Sequence, residues 1–357
     1  MQNKKNREPS VVVIGAGMTG ILMAIKLREA GITNLTILEK TDRIGGTWRE
    51  NTYPGVACDV PAHMYTYSFE PNPDWTQLYA SGAEIHQYFE KVGRKYGVTN
   101  TIRFNEAVTD CVYDNGQWTV TTAKGDIITA DFVVNSTGIL HHPVLPNIEG
   151  LDTFEGVKFH TAQWNHDVDL AGKKVGIIGT GSTAAQVIPE VAKEAAKLTV
   201  FQRTPNWFLP FGNKDFSEKF RAKLRKNPNA VRRLRAVYIW LFTHVLTKAV
   251  TGHPVQNFLF RNIAKAYHYF AIKDAELRKK LTPDFKVGCK RVVINTTFFP
   301  AMQRDNVELV TAGISEITPT GVTTKDGREH EFDVLILSTG FNPTAFMRPM
   351  NMTGKDG

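Results

Sequence analysis

Two glycine-rich turns contain the residues best suited to binding a dinucleotide. In the first, the apolar run Ser10–Ile14 is followed by Gly15, Gly17 and Gly20, and the next apolar run ends at Glu39. The first glycine allows a tight turn, the second lets a pyrophosphate approach the backbone, and the third lets a helix pack closely on a strand. The helix N-terminus offers N–H groups to phosphates, and the carboxylate can accept hydrogen bonds from ribose hydroxyls. The pattern predicts one dinucleotide site.

The second turn has the same spacing but a different residue after its second strand. The apolar run Lys174–Ile178 is followed by Gly179, Gly181 and Ala184, and alanine is tolerated at the third position. The next apolar run leads to Arg203, where the first unit has an acid. A carboxylate there would favour NAD, whereas an arginine can bind the additional 2′-phosphate of NADP. We therefore expect the second unit to bind NADPH.

A third group of candidate residues lies at Gly46–Asp59, directly after the first unit. It has the spacing G-x-W-x(4)-Y-P-G-x(3)-D. Taken singly, Trp48 and Tyr53 are more often core aromatics, and Asp59 would most often be a surface carboxylate. Their joint spacing makes them candidates for a site over the ligand of the first unit.

The elements that must position these turns alternate between strands and helices, which predicts an α/β fold. Helices are expected over Met18–Ala30, Ala83–Lys95 and Ala184–Ala196, and further strands over Leu35–Glu39, Gln117–Thr122, Ile127–Asn135 and Leu198–Gln202. A hairpin followed by an aspartate, an apolar run and Ser-Thr-Gly ends at Gly138 and again at Gly340. This internal repeat indicates two related dinucleotide-binding halves.

Residues 212–290 interrupt the alternation and are rich in Lys, Arg and aromatic residues, which predicts a helical insert. Its most apolar stretch, Tyr238–Val250, is too short and too interrupted for a membrane span, and we expect a buried or substrate-lining helix there. Peripheral membrane contact is left open but not expected. The formal net charge is +8, yet the arginine cluster at 232–235 has no recognised binding fold around it, so nucleic acid is not an expected partner.

The three cysteines, Cys58, Cys111 and Cys289, are widely spaced. They form no CxxC pair, zinc spacing or disulfide framework, so no metal site is predicted and a reducing, cytoplasmic setting is expected. A disulfide-reducing flavoprotein needs a paired redox dithiol, and the isolated cysteines argue against that function. The segment Met1–Pro9 is polar and lacks the apolar core of a secretion signal.

These motifs together resemble those of Baeyer–Villiger monooxygenases, class B flavoproteins that use FAD, NADPH and O₂ to insert oxygen next to a ketone carbonyl. The Gly46–Asp59 spacing is similar to one fingerprint of this family. Phe154, Gly156, His160 and Trp164 resemble the second fingerprint, F-x-G-x(3)-H-x(3)-W. The resemblance covers essentially the whole chain and is closest to the branch of 4-hydroxyacetophenone and cyclohexanone monooxygenases. It implies that His160 is a hinge residue in a linker.

The resemblance also implies roles for individual residues. Arg291 would supply a permanent positive charge that stabilises a C4a-peroxyflavin, and Asp59 would orient its guanidinium. The FAD-binding positions would be Gly15, Gly17, Gly20, Glu39, Gly46, Thr47, Trp48, Asp59, Tyr65 and Val108. The NADP-binding positions would be Gly179, Thr180, Gly181, Ser182, Thr183, Gln186, Arg203, Thr204 and Lys290. Taken alone, the Lys290-Arg291 pair before an apolar run would be a solvated strand edge.

The expected architecture is α/β, with two Rossmann-like domains for FAD and NADPH and a helical insert. We expect an FAD-binding domain at 1–145, completed by 337–357 and a further C-terminal part, since family members continue well beyond this length. A linker is expected at 146–172. An NADP-binding domain is expected at 173–336, with the insert at about 212–290.

Two alternatives stay open from the sequence. An N- or S-oxygenating flavin monooxygenase would attack soft nucleophiles. Trp164, Asp59 and the Lys290-Arg291 pair argue against it, whereas Asn165, where the fingerprint has Pro or Asp, is compatible with it. The other alternative is a fragment that binds its cofactors without turnover. The expected partner is a small-molecule ketone, and the sequence indicates neither which ketone nor the oligomeric state.

Overall fold

The computed structural model describes residues 7–345 and 347–357. The chain divides into two compact units. The first contains the described residues up to Glu50 together with Ala83–Pro143 and Phe341–Gly357, and the second contains Asn51–Gly82 and Val144–Gly340. Each unit includes one glycine-rich turn. The domain boundaries predicted from the sequence were defined by their cofactors, and they stay predictions.

The strands in chain order are β1 (Val11–Ile14), β2 (Leu35–Glu39), β3 (Ile102–Phe104), β4 (Val108–Asp114), β5 (Gln117–Thr122), β6 (Ile127–Ala130), β7 (Phe132–Asn135), β8 (Val157–His160), β9 (Lys174–Ile178), β10 (Lys197–Phe201), β11 (Phe208–Leu209), β12 (Val293–Ile294), β13 (Val307–Val310), β14 (Ile314–Thr318), β15 (Gly321–Thr324), β16 (Glu329–Glu331), β17 (Val334–Leu337) and β18 (Asn351–Thr353). The α-helices are α1 (Met18–Glu29), α2 (Thr47–Glu50), α3 (Gly82–Lys95), α4 (Ser182–Glu194), α5 (Glu218–Lys226), α6 (Pro228–Leu241), α7 (Lys248–Val250), α8 (Pro254–Ala271), α9 (Ala275–Leu281) and α10 (Phe298–Met302). Short 3-10 turns lie at Val98–Thr101, Leu151–Thr153 and Thr161–Gln163, and a π-helical stretch lies at Phe242–Thr247.

The first unit contains a four-stranded parallel sheet with the strand order β3-β2-β1-β7. Every residue of β1 is buried, as expected for an inner strand of a parallel sheet. Helix α1 buries Ile21, Ala24 and Ile25. A second sheet has the order β18-β4-β5-β6, and its residues Cys111 and Val120 share an apolar cluster with β1. The apolar runs of the sequence therefore form the core beneath the first turn.

The second unit contains a five-stranded parallel sheet with the order β13-β10-β9-β17-β8. Helix α4 buries Val187, Ile188 and Val191 in the same apolar cluster as Val175 and Val200 of the sheet. An antiparallel sheet, β14-β15-β16, and a short pair, β11-β12, complete the unit. Because β9 and β10 are parallel neighbours, their carboxyl ends meet at one edge of the sheet, and the second turn lies there.

The predicted internal repeat is confirmed by matching hydrogen bonds in the two units. Asp131, directly before β7, accepts from the backbone N–H of Ser10 at 2.8 Å, and Asp333, directly before β17, accepts from the N–H of Lys174 at 2.8 Å. One detail of the prediction is wrong, because Ile127–Asn135 is two strands in different sheets. The chain changes sheet at Asp131, whose side chain and backbone both bond to Ser10.

The predicted helical insert is confirmed, since α5 to α9 lie between Glu218 and Leu281. At Tyr238–Val250 a buried or substrate-lining helix was expected; the buried form is wrong, and the substrate-lining form stays a prediction. Ala249 is the buried residue of this stretch, and Trp240 is 56% exposed, because the helical run lies at the surface of its unit and buries only a narrow stripe. Among the described helices, none combines the length and the apolar character needed to cross a membrane.

Candidate functional site

The first glycine-rich turn joins β1 to α1 and is closed by backbone contacts. Gly15 has a φ of +100°, and a Cβ there would lie 2.7 Å from the carbonyl oxygen of Ser136. A Cβ on Gly20 would lie 1.9 Å from the carbonyl oxygen of Gly15. Helix α1 begins after Gly17 without a side-chain cap, so no side chain covers its first N–H groups. The turn therefore has the shape that a dinucleotide requires.

Glu39 ends β2 and lies against this turn, with only 5% of its surface exposed. Its Oε2 accepts from the backbone N–H of Ala16 at 2.7 Å. Its Oε1 accepts from the N–H and the hydroxyl of Thr41 at 3.0 and 2.8 Å. These bonds fix the orientation of the carboxylate, and Oε2 keeps acceptor capacity for one further donor.

Three of the other predicted FAD positions follow directly in the chain. Gly46 has a φ of +55°, and a Cβ there would lie 3.0 Å from the Cα of Gly17, so the backbone passes closely over the first turn. Thr47 and Trp48 begin α2. The structure thus brings residues 46–48 to the first turn. The remaining positions lie elsewhere in the chain, with Val108 at the start of β4 and with Asp59 and Tyr65 in the second unit.

The second glycine-rich turn joins β9 to α4 and has an open face. Gly179 has a φ of +116°, and a Cβ there would lie 2.4 Å from the carbonyl oxygen of Ser338. Gly181 precedes α4, which has no side-chain cap, and a Cβ on Gly181 would meet nothing within 4 Å among the described residues. Ser182 and Thr183 form the first turn of α4. The space over Gly181 is where the fingerprint places a pyrophosphate.

The loop after β10 is tied to the second turn by side chains. The hydroxyl of Thr180 donates to the carbonyl of Thr204 at 3.2 Å, and the side-chain amide of Asn206 donates to the carbonyl of Thr180 at 2.7 Å. Arg203, directly before Thr204, is exposed, and within the described chain no carboxylate pairs with it. The structure therefore places Thr180, Arg203 and Thr204 at one edge of the sheet.

Both turns fit a dinucleotide. Helices α1 and α4 have 12 and 13 residues, and neither has a side-chain cap or an acidic residue in its first turn. Phosphate groups are stabilised at such N-termini by the N–H groups and by the helix dipole. The first turn adds a fixed carboxylate, Glu39, and the second adds an exposed guanidinium, Arg203. The residues present therefore match a ribose-binding turn and a phosphate-binding turn.

The second unit also brings together the two residues predicted to be catalytic. The Nη2 atom of Arg291 donates to both carboxylate oxygens of Asp59, at 2.7 and 2.5 Å. The side chain of Asp59 is 23% exposed and that of Arg291 is 70% exposed. Among the described residues, Nη1 and Nε of Arg291 have no acceptor, so they keep their N–H groups for a ligand. The adjacent Lys290 has its Nζ 4.7 Å from the ring centroid of Phe285.

Helix α4 holds the loop that leads to Asp59. The side chain of Gln186 donates to the carbonyl of Ala57 at 2.9 Å and accepts from the hydroxyl of Tyr53 at 3.0 Å. Gly55 has a φ of +79°, and a Cβ there would lie 2.6 Å from the Gln186 carbonyl oxygen. The predicted NADP position Gln186 therefore contacts the loop at 53–57 and links the second turn to the charged pair.

Burial keeps the side chains around Asp59 protonated. Burial raises the pKa of the Cys58 thiol to about 12 and that of the Tyr79 hydroxyl to about 12. Burial also raises the pKa of Tyr53, and the negative charge of Asp59 acts in the same direction on all three groups. Cys58 is thus a thiol and not a nucleophilic thiolate at neutral pH. The charge that faces Arg291 is that of the Asp59 carboxylate.

Two supporting asparagines were missed by the sequence analysis. The side chain of Asn213 accepts from the N–H of Tyr79 at 2.8 Å and donates to its carbonyl at 2.9 Å. Asn295 donates to the carbonyl of Ala185 at 3.1 Å and accepts from the N–H of Phe298 at 2.8 Å, which joins α4 to α10. Asn295 had a local signal, because an asparagine side chain commonly accepts from the backbone N–H two residues on, here that of Thr297. Asn213 had none.

Comparisons with known proteins agree with this geometry. The family model described as pyridine nucleotide-disulphide oxidoreductase matches residues 12–240. An uncharacterized monooxygenase of Mycobacterium tuberculosis is 44% identical over 351 residues, which cover 98% of this chain and 70% of that protein. A Baeyer–Villiger monooxygenase of Streptomyces coelicolor is 42% identical over 349 residues, which cover 97% of this chain and 67% of that protein. The solved structure of an oxidized steroid monooxygenase bound to NADP has a TM-score of 0.86 at 33% identity and covers 96% of this chain and 74% of that chain.

The three cysteines are unpaired in the structure. Cys58 and Cys111 are buried, Cys289 is exposed, and all three are free thiols. The likeness to the monooxygenases spans nearly the whole chain.

Proposed function

Because the chain belongs to the Baeyer–Villiger monooxygenases, which are FAD- and NADPH-dependent flavoproteins, we propose that Arg291 and Asp59 form the charged centre of its ketone-oxidising site. The reaction of this family inserts one atom of O₂ next to a ketone carbonyl and gives an ester or a lactone. The observation that supports the assignment is the hydrogen-bonded pair itself, in which one guanidinium nitrogen contacts both carboxylate oxygens.

When bound, FAD accepts a hydride from NADPH and activates O₂, so the difficult chemistry belongs to the cofactor. The chain contributes binding and orientation. In this proposal the turn at Gly15 and the carboxylate of Glu39 hold FAD. The turn at Gly179 holds NADP, with Arg203 on its 2′-phosphate. The bond between Thr180 and Thr204 at 3.2 Å supports this arrangement, because it fixes the loop that carries the arginine.

Arg291 stabilises the negative charge that develops on oxygen during the insertion. A fixed cation close to the reacting oxygen lowers the barrier most when water is excluded. Arginine suits this position because its charge persists after desolvation, whereas a lysine could lose its proton. The N–H groups on Nη1 and Nε are the ones that can reach the reacting oxygen, since Nη2 is held by Asp59. Asp59 is therefore a positioning residue for Arg291.

The proposed substrate is a small-molecule ketone, and the cytoplasm is the proposed location of the enzyme. Support for the ketone comes from the relatives named for Baeyer–Villiger chemistry. Support for a reducing compartment comes from the free thiols of Cys58, Cys111 and Cys289, because disulfides are rare in such compartments.

An isotope experiment tests the proposal. The FAD-loaded protein would receive NADPH and ¹⁸O₂ with a panel of ketones, sulfides and amines, and the products would be analysed by mass spectrometry. We expect one labelled oxygen in an ester or lactone. Arg291→Ala should still oxidise NADPH, but ester formation should fall by at least about 100-fold, the usual cost of removing a charge-stabilising donor. Hydrogen peroxide should then account for the NADPH consumed.

Arg233→Ala is the matched control, because Arg233 is an exposed arginine of α6 outside the site, and it should leave product yields unchanged. Ester formation by Arg291→Ala at the wild-type level would refute the role of this residue. Labelled sulfoxides or N-oxides without any ester from the wild-type protein would favour an N- or S-oxygenating enzyme.

A further inference from the structure

The second unit contains a cavity of about 690 Å³ that is separate from both glycine-rich turns. Its walls come from α8, from α9 and from the loop that follows α9. Trp207 is 5% exposed and forms part of the lining. Its Nε1 donates to the carbonyl of Phe285 at 2.9 Å, and its ring centroid lies 4.8 Å from that of His268. The cavity thus has a packed aromatic floor.

The rim of this cavity is strongly basic. Its charged lining residues are Arg261, Lys265, Arg278, Lys279, Lys286 and a single acid, Asp284. Within the described chain, none of the five cations has a carboxylate within ion-pair distance. The sequence explains this imbalance in part, because residues 219–273 contain no Asp or Glu. Five cations and one acid around a concave surface create a positive potential that attracts anions.

One of these cations is held in place by aromatic and backbone contacts. The guanidinium carbon of Arg278 lies 4.9 Å from the ring centroid of Tyr269, and its Nη1 donates to the carbonyl of Ile272 at 2.8 Å. Arginine binds phosphate and carboxylate through a planar fork of donors. Because Nη2 and Nε have no hydrogen-bond acceptor among the described residues, that fork keeps donors for a ligand. The cavity therefore combines an oriented guanidinium with three exposed lysines.

His268 adds a polar group to the floor without adding charge. Its Nε2 accepts from the backbone N–H of Phe208 at 3.1 Å, and burial lowers its pKa to about 4. The ring is therefore neutral at pH 7, with its proton on Nδ1. Within the described residues, Nδ1 has no acceptor. The floor of the cavity thus carries an unpaired donor beside an aromatic surface.

We propose that this cavity binds a small aromatic oxyanion, meaning a molecule with a phosphate, sulfate or carboxylate group attached to a planar ring. The rim cations would bind the anionic group, and the planar ring would lie against Trp207, Tyr269 and Phe285. Aromatic stacking and charge-assisted hydrogen bonds together give a higher affinity than either contact alone. None of the residues assigned to FAD or NADP lines this cavity, so the site is distinct from the cofactor turns.

Calorimetric titration of the FAD-loaded protein with phenyl phosphate tests the inference, with inorganic phosphate and phenol as partial probes. We expect one phenyl phosphate to bind per chain. Its affinity should be at least about tenfold higher than that of either partial probe, because each probe lacks one of the two groups that contact the cavity. Saturating NADP⁺ should leave this affinity unchanged. Displacement by NADP⁺ would show that the cavity is part of the coenzyme site, and absence of binding would refute the inference directly.

Substitutions of two rim lysines test whether phenyl phosphate binds in this cavity. The double variant Lys265→Gln and Lys279→Gln should lower the affinity for phenyl phosphate by about tenfold or more, since two charge-assisted contacts are lost. Both lysines are exposed, so the fold should be kept. Lys280→Gln is the matched control, because Lys280 is an exposed neighbour on α9 that does not line the cavity. An equal loss with Lys280→Gln would mean unspecific attraction to a basic surface and would overturn the assignment.

Discussion

Arg291 donates from one nitrogen, Nη2, to both carboxylate oxygens of Asp59, although the two residues are 232 positions apart in the sequence. Arg291 lies just before β12, and Asp59 follows the loop that Gln186 holds against α4. The pair therefore joins two loops of the second unit and leaves Nη1 and Nε of the guanidinium for a ligand. Since most of the Arg291 side chain is exposed, the pair adds little to stability. Its role is to orient the guanidinium of Arg291.

The Asp59→Asn variant should show whether Asp59 serves to orient Arg291 or to stabilise the fold. We expect the free energy of unfolding to change by less than about 1 kcal/mol, as for other exposed ion pairs. Ester formed per NADPH should fall by roughly tenfold or more, because the guanidinium loses its charged anchor near the reacting oxygen. Urea unfolding and product analysis measure the two quantities. Asp326→Asn, which removes an exposed Asp–Arg pair with Arg328, should change neither. Normal product yield in Asp59→Asn would contradict the positioning role.

Two glycines of the second turn should respond differently to alanine. Gly179→Ala should destabilise the protein by about 1–3 kcal/mol, since its φ of +116° and the carbonyl of Ser338 at 2.4 Å both oppose a Cβ. Gly181→Ala should leave stability unchanged, because its Cβ would meet nothing within 4 Å, but it should weaken NADP⁺ binding by occupying the open face. Thermal unfolding and NADP⁺ titration measure these effects. Gly354→Ala is the control, because a Cβ at Gly354 would also lie in open space. Unchanged NADP⁺ affinity in Gly181→Ala would contradict the proposed coenzyme site.

Arg203 should determine the preference for NADPH over NADH. We expect Arg203→Gln to raise the KM for NADPH by about tenfold, because a charge-assisted contact to the 2′-phosphate is lost. The KM for NADH, which lacks that phosphate, should stay the same. Initial rates of flavin reduction with each coenzyme measure the ratio. Lys173→Gln, an exposed cation just before β9, serves as a control for net charge. Equal losses with NADPH and NADH would assign Arg203 a structural role instead.

The sequence was most informative where one residue type is required by the backbone. Gly15 and Gly179 were predicted as turn glycines, and both have a positive φ beside a carbonyl that would clash with a Cβ. The strands β1, β2, β9 and β10 were predicted within a residue of their ends, since buried parallel strands are continuous apolar runs. The pairing of Asp59 with Arg291 was expected only from the family resemblance, because spacing alone does not bring distant loops together.

Features that depend on tertiary contacts could not be predicted. The strand expected at Ile127–Asn135 divides between two sheets, and only the bonds between Asp131 and Ser10 explain the break. The apolar stretch Tyr238–Val250 is largely exposed, since composition does not specify what a helix packs against. The role of Gln186 in holding the loop at 53–57 also depends on a contact between distant segments. A local pattern carries no information about such contacts.

His63 should make the stability of the second unit depend on pH. It is 1% exposed, and among the described residues its ring nitrogens have no hydrogen-bond partner. Its ring packs edge-on against Phe216 and Phe220, with centroids 5.2 and 6.4 Å apart. Burial lowers its pKa from 6.5 to about 4. Because the folded-state pKa is depressed, the unfolded chain binds the proton more readily between these two values. Neutral His63 therefore makes its full contribution to the free energy of unfolding above about pH 6.5. This contribution is lost as the pH falls towards 4.

The variant His63→Leu should remove this dependence. In the wild-type protein, protonation of His63 should lower the free energy of unfolding by roughly 2 kcal/mol when the pH falls from 7.5 to 5. The variant should lose less over the same interval, because leucine takes up no proton and fits the aromatic surroundings. Urea unfolding at several pH values gives the slope of the unfolding free energy against pH for the wild-type protein and for the variant. His253→Leu changes an exposed histidine and should keep the wild-type slope. If His63→Leu also keeps that slope, His63 is not the group that titrates, and the acid sensitivity must come from another buried histidine such as His268, whose pKa burial likewise lowers to about 4.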